Sequence, residues 1–311
     1  MEVILSAVLL LIGLVMLCFG GNWLVNGGIA IAKKFRISNL IIGMTIVAFG
    51  TSSPELAASI AAAGDHSAII LGNIVGSNIA NVGMVIGVAA ILAPLAIQKS
   101  VLRKEIPIML GVSALLVLLS IDGELSQYDG ILLLIGLGIF VVYTFRSALK
   151  QREKSKDDTN SGKNNVYLKS IGLIGIGIIL LYIGAILTVD NAVVIASEFG
   201  LSETIIGLTV IAIGTSLPEL ITSIIAIRKG HSDIGIGNII GSNIYNILMI
   251  MGVGASLGGV LITADIYVDY AIMIIFSLSL LIGLKTKIIN RTMGIILAAG
   301  YGLYLITTFL K

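Results

Sequence analysis

Charge is what this sequence has least of. Asp, Glu, Lys and Arg make up 12% of its 311 residues, while 57% are hydrophobic. A soluble domain carries about 25% charged residues, because its outside must be solvated. So little charge is not enough for a water-facing surface, and the chain reads as membrane-embedded. Cysteine is almost missing as well: Cys18 stands alone, which excludes an intrachain disulfide. With one cysteine and two histidines, no Cys/His cluster is available for zinc or copper. A net charge of +2 gives no basic excess that would call for a nucleic-acid partner. No nucleophile–base constellation or phosphate loop is present, and Gly235, Gly237 and Gly241 miss the dinucleotide spacing by one. The chain is therefore not expected to be an enzyme or to carry a cofactor. Only Met1 and Glu2 precede the first apolar run, with no basic n-region, so that run is expected to be a retained helix.

What is present is apolar sequence in span-sized lengths. A bilayer core needs about 20 mostly apolar residues per helix. Ten such spans are expected, near 3–32, 38–63, 67–94, 105–121, 129–148, 167–198, 203–227, 233–261, 267–284 and 290–309. With the N-terminus outside, the loops after spans 1, 3, 5, 7 and 9 are inside and hold 18 of the 19 basic residues. Only Lys311 falls on the other side. The positive-inside rule thus supports both the count and an orientation with both termini outside the cell membrane. Gln151–Asn165 is the one polar stretch, read as a cytoplasmic linker. The expected organisation is residues 1–148, a linker over 149–166, and residues 167–311.

Self-comparison gives the strongest signal. Shifted by 164, Ser38–Leu56 (SNLIIGMTIVAFGTSSPEL) falls on Ser202–Leu220 (SETIIGLTVIAIGTSLPEL), with 12 of 19 positions identical. These include Gly43/Gly207, Thr45/Thr209 and Ala48/Ala212. Shifted by 165, GNIVGSNIAN at 72–81 falls on GNIIGSNIYN at 237–246. Five spans per copy is an odd number, so the second copy is inverted in the membrane. The fold class is all-α and polytopic, with ten transmembrane helices in two inverted five-helix repeats. Transporters of this plan place their sites near the midplane.

Glu55 and Glu219 are one position used twice, at mid-membrane depth and with no basic residue at that depth in spans 2, 3, 7 or 8. An ionised carboxylate is costly there, which makes the pair a functional-site hypothesis. Pro54 and Pro218 lack an N–H, so the carbonyls of Gly50 and Gly214 lose their helical partners, and those glycines permit an unwound backbone. Freed carbonyls are good ligands for hard cations. Thr51, Ser52, Thr215 and Ser216 add hydroxyls. Asn73, Ser77 and Asn81 form a polar stripe spaced by four, repeated as Asn238, Ser242 and Asn246. Asn78 and Asn243 lie off the stripe and read as interhelical glue. His66 and His231 align at span ends and read as interfacial, and Asp190 aligns with Asn26. An oxygen-only ligand set suits calcium or sodium.

The paired GTSSPE and GTSLPE, with the paired GNIVGSNIAN and GNIIGSNIYN, resemble the two alpha-repeats of the calcium/cation antiporter superfamily. The prokaryotic sodium/calcium exchangers are the nearest likeness. The resemblance implies alternating access by sliding of spans 1 and 6 against the rest. It implies calcium bound by Glu55 and Glu219 with the carbonyls of Thr51 and Thr215. It implies sodium sites at Ala48, Ser52, Ser77 and Glu55, and at Ala212, Ser216, Ser242 and Glu219, with Asn81 and Asn246 lining the middle. Some relatives, including potassium-dependent exchangers, have aspartate where this chain has Asn246, so the site charge here is at most −2. One calcium balances that charge, and three sodium ions would leave +1. Calcium, sodium (or protons) and membrane lipid are the expected partners, with no obligate protein partner. A calcium/proton exchanger and, from another class, a cation channel remain open at this point.

Overall fold

The computed structural model describes residues 2–61, 67–154, 164–200 and 212–309. His66, Gly207, Thr209, Lys311, the start of span 7 and linker residues 155–163 lie outside the described residues. Helix α1 is Glu2–Phe35. Helix α2 is Asn39–Thr51 and α3 is Ser53–Ala61. Helix α4 starts as Ser67–Ala80, passes through a π segment Asn81–Ile86 and ends as Gly87–Leu92. Helix α5 is Ile106–Leu119 and α6 is Gln127–Lys154. Helix α7 is Asn164–Glu198, α8 is Ala212–Thr215 and α9 is Leu217–Arg228. Helix α10 repeats α4, as Ser232–Tyr245, a π segment Asn246–Met251 and Gly252–Gly258. Helices α11 (Ile266–Ser279) and α12 (Arg291–Phe309) complete the chain.

Among the described residues, five helices are long and apolar enough to cross a membrane, and α2 with α3, bent by 43°, makes a sixth. Of the other expected spans, the fourth and ninth are helices of 14 residues, the tenth is a helix of 19, and the seventh begins outside the described residues. Two small sheets check the order of sides. Strand β1 (Leu95–Ala96) pairs antiparallel with β4 (Ile288–Ile289), and β2 (Glu124–Leu125) with β3 (Val260–Leu261). The first sheet joins the loops after spans 3 and 9, and the second joins the loops after spans 4 and 8. Loops that must share a side do so. The repeat shift carries β1 onto β3 and β2 onto β4, so each sheet is the inverted image of the other.

Two packing units stand out. In the first, α1 and α7 lie antiparallel along a seam of glycines spaced by seven. A Cβ at Gly13 would lie 2.9 Å from the Gly184 carbonyl oxygen, and one at Gly20 would lie 2.9 Å from that of Gly177. Such contact needs residues without side chains, because lipid offers no hydrophobic drive to press helices together. The flank of α1 bearing Ile4, Val8, Leu11, Val15 and Phe19 is exposed, as a lipid-facing surface should be. In the second unit, α4 and α10 are the buried centre, and α2 presses on α10. A Cβ at Gly43 would lie 2.5 Å from the Ile234 oxygen, and one at Gly237 would lie 2.6 Å from that of Leu40.

The helix breaks fall two residues beyond the expected glycines. Ser52 (φ −83°, ψ 9°) separates α2 from α3, and Ser216 (φ −87°, ψ 1°) separates α8 from α9. Gly50 and Gly214 remain helical. The amide of Ser52 still reaches the Ala48 oxygen at 3.0 Å, so the turn before proline survives. The glycines serve close approach instead: a Cβ would lie 2.9 Å from Ile178 at Gly50 and 2.5 Å from Val189 at Gly214. Both contacts are with α7.

Candidate cation-binding site

The two breaks bring the two repeats together. Glu55 enters the first turn of α3 and Glu219 the first turn of α9. Both are buried, at 1% and 0% exposure, and each lies within electrostatic reach of the other. Ser52, on the first repeat's break, donates to Glu219 Oε1 at 3.1 Å. Ser242 of α10 donates to the same oxygen at 3.3 Å. One carboxylate thus collects hydroxyls from both repeats. Among the described residues no group of three or more His, Cys, Asp and Glu side chains assembles, so the centre is two carboxylates among neutral oxygens.

Thr51, Ser52, Ser77, Asn81, Ser216, Ser242 and Asn246 are buried, and Ala48 is buried beside them. Thr215 is partly buried and Ala212 starts α8. The Ala48 carbonyl accepts from the Ser52 amide and, at 3.2 Å, from Thr51 Oγ1. Thr51 Oγ1 also reaches Asn238 Oδ1 at 3.0 Å and Ser242 Oγ at 3.4 Å. Six buried oxygens of the expected set have no hydrogen-bond partner: Glu55 Oε2, Glu219 Oε2, Ser77 Oγ, Ser216 Oγ, Asn81 Oδ1 and Asn246 Oδ1. Buried polar atoms are normally paired, and an orphan costs about 1–3 kcal/mol. Six of the ten such atoms among the described residues fall on this one set of residues. Oxygens of this kind have the chemistry that hard cations take as ligands.

Two expected wall residues have a further task, Asn238 in addition to accepting from Thr51. Asn73 Nδ2 donates to the Glu55 backbone oxygen at 3.2 Å and to Ser59 Oγ at 3.1 Å. Asn238 Nδ2 repeats this with the Glu219 oxygen at 3.5 Å and Ser223 Oγ at 3.0 Å. They hold the glutamate-bearing helices α3 and α9 against α4 and α10. Ser59 and Ser223 were not singled out from the sequence, although they also align at a shift of 164. His231 Nδ1 accepts from Asn39 Nδ2 at 3.0 Å, joining the start of α2 to the start of α10. Asp190 is exposed on α7, and its counterpart Asn26 accepts from Lys229.

The sequence profile of the family described as sodium/calcium exchanger protein matches residues 5–146 and 169–310. The chain belongs to the sodium/calcium exchanger family. Its two matched blocks coincide with the two halves that the sheets and the helix breaks relate. Inner membrane protein YrbG of Escherichia coli is 36% identical over 97% of this chain and 96% of its own length. Sodium/calcium exchanger MaX1 of Methanosarcina acetivorans is 34% identical, with 97% of each chain covered. The structure of the sodium-calcium exchanger NCX_Mj soaked with zero Na+ and Ca2+ superposes with a TM-score of 0.83 at 36% identity, covering 98% of this chain and 99% of that one. An exchanger of this family is a multi-pass membrane antiporter and not an enzyme, and its fold is ten helices in two inverted repeats.

Proposed function

We propose that this antiporter exchanges calcium for sodium across the cell membrane by alternating access. Its termini would lie outside and residues 149–166 in the cytoplasm, between repeats at 1–148 and 167–311. The observation that carries the reading is the set of six unpartnered oxygens around Glu55 and Glu219. Calcium would sit between those two carboxylates, with the carbonyls of Thr51 and Thr215 completing its shell. One sodium would use Ala48, Ser52, Ser77 and Glu55, and another Ala212, Ser216, Ser242 and Glu219. Asn81 and Asn246 line the centre between them.

The chemistry follows from charge and ligand number. Two carboxylates balance one calcium, which takes six to eight oxygens. Sodium ions entering the flanking positions compete for the same carboxylate oxygens, so the two occupancies exclude each other and coupling results. Because Asn246 is neutral, no third charge calls for potassium. The sliding pair α1 and α7 touches both glycines just before the breaks, so its position bears directly on the site. Calcium uptake into proteoliposomes, with sodium, pH and potassium gradients imposed separately, tests this. A sodium gradient alone should drive it, and potassium should be dispensable. Uptake driven by a pH gradient and indifferent to sodium would replace this reading with calcium/proton exchange. Calcium conduction without any counter-ion would make the protein a channel.

A further inference from the structure

The two asparagines off the polar stripe are joined to the site by a chain of directed hydrogen bonds. Asn78 on α4 donates its amide nitrogen to Met273 Sδ on α11 at 3.6 Å. Asn243 on α10 donates to Met109 Sδ on α5 at 3.6 Å and to the Asn78 backbone oxygen at 3.4 Å. Their side-chain oxygens then face the opposite way. Asn78 Oδ1 accepts from Asn246 Nδ2 at 3.1 Å, and Asn243 Oδ1 accepts from Asn81 Nδ2 at 3.0 Å. All four asparagines and both methionines are at most 1% exposed. Under the repeat, Met109 corresponds to Met273, Asn78 to Asn243 and Asn81 to Asn246. The device therefore occurs twice, once from each half.

The chemistry of sulfur sets the direction. A thioether accepts hydrogen bonds and never donates. An amide beside it must present its NH2, because its carbonyl would meet lone pairs with lone pairs. The first amide's carbonyl is then committed to the second amide's NH2. The second amide is left with only its oxygen free, and Asn81 Oδ1 and Asn246 Oδ1 are two of the six unpartnered site atoms. An undirected asparagine could turn its NH2 into the site, where a donor would repel a cation. Two bonds upstream, that orientation is closed off.

We propose that Asn78 and Asn243, braced by Met273 and Met109, are positioning residues. They hold the amides of Asn246 and Asn81 with their oxygens turned to the transported cation. This rests on the cation-site reading above and deepens it. The test uses the purified exchanger, read both by calcium-dependent rise in thermal midpoint and by the calcium concentration that half-saturates sodium-driven uptake. Asn243→Leu should raise the half-saturating calcium about tenfold, as expected for one misdirected ligand, with a smaller change in maximal rate. In an Asn81→Ala background the same substitution should add nothing, because its effect travels through that side chain. Met109→Leu, which keeps the core volume, should move half-saturation the same way by a few-fold, and it carries the cycle if Asn243→Leu does not fold. Equal shifts with and without the Asn81 side chain, or no shift, would overturn the proposal. If wild-type protein shows no sodium-driven uptake but calcium still raises its midpoint, the coupling reading falls and the midpoint shift decides the positioning role. If neither cation raises the midpoint, both fall.

Discussion

The two glutamates have the same sequence neighbours and different surroundings. Glu219 Oε1 accepts from Ser52 and Ser242. By the repeat, Glu55 should accept from Ser216 and Ser77, yet both of those hydroxyls lack a partner, as does Glu55 Oε2. One carboxylate is braced by hydroxyls from both halves and the other is not. The inversion thus supplies the same oxygens from both halves without requiring the same hydrogen bonds. Helices α1 and α7 show a matching difference. Gly21 of α1 packs closely on α9, where a Cβ would lie 2.9 Å from Thr222 Oγ1, and Lys229 donates to Asn22 and Asn26 of α1. The repeat places Ile186 and Asp190 of α7 opposite those asparagines and Asp65 opposite Lys229. The lysine of this tie therefore has no basic counterpart under the repeat.

The largest effect should come from charge. Glu55→Gln and Glu219→Gln should each abolish calcium transport while the protein still elutes as folded material. Near-normal flux in either would remove the shared-site account. Of the two, Glu219→Gln should disturb the ion-free protein more, because two hydroxyls depend on its oxygen.

The hydroxyls give the sharpest contrast. Without cations, Ser52→Ala should cost about 1 kcal/mol in thermal unfolding, since a hydrogen bond to buried Glu219 is lost. Ser216→Ala removes a hydroxyl with no protein partner and should cost close to nothing in the same assay. Both should weaken sodium's effect on calcium flux. Equal costs in the ion-free protein would erase the asymmetry.

The smallest effect belongs to the tie between Lys229 and α1. Lys229→Ala should cost roughly 0.5–1 kcal/mol, because the ammonium is largely exposed and solvent screens it. Combined with Asn26→Ala, the loss should be less than additive. Additive losses would show that Lys229 does not act through α1.

Much of this was legible in the sequence because the repeat doubles each signal. The glutamate pair and the flanking hydroxyls were picked out because two copies agree, and the order of sides came from the span count and the basic loops. The break was misplaced by two residues because proline's missing N–H marks a lost bond without saying which residue absorbs the turn. Ser52 and Ser216 absorb it, while Gly50 and Gly214 are kept for contact with α7. Spacing by four put Asn73 and Asn238 on the same stripe as Ser77 and Ser242. Spacing along one helix cannot tell which neighbour a side chain meets, and these two meet the serines at 59 and 223. For the same reason Asn78 and Asn243 read only as glue, since their direction depends on methionines from α5 and α11.

The central claim is that Glu55 and Glu219 together hold a calcium ion that sodium displaces. Sodium-gradient-driven calcium uptake by the wild type, Glu55→Gln and Glu219→Gln in matched proteoliposomes tests it most directly. The account predicts uptake by the wild type alone, abolished when the sodium gradient is removed. Uptake by either glutamine variant, or wild-type uptake that ignores sodium, would contradict it.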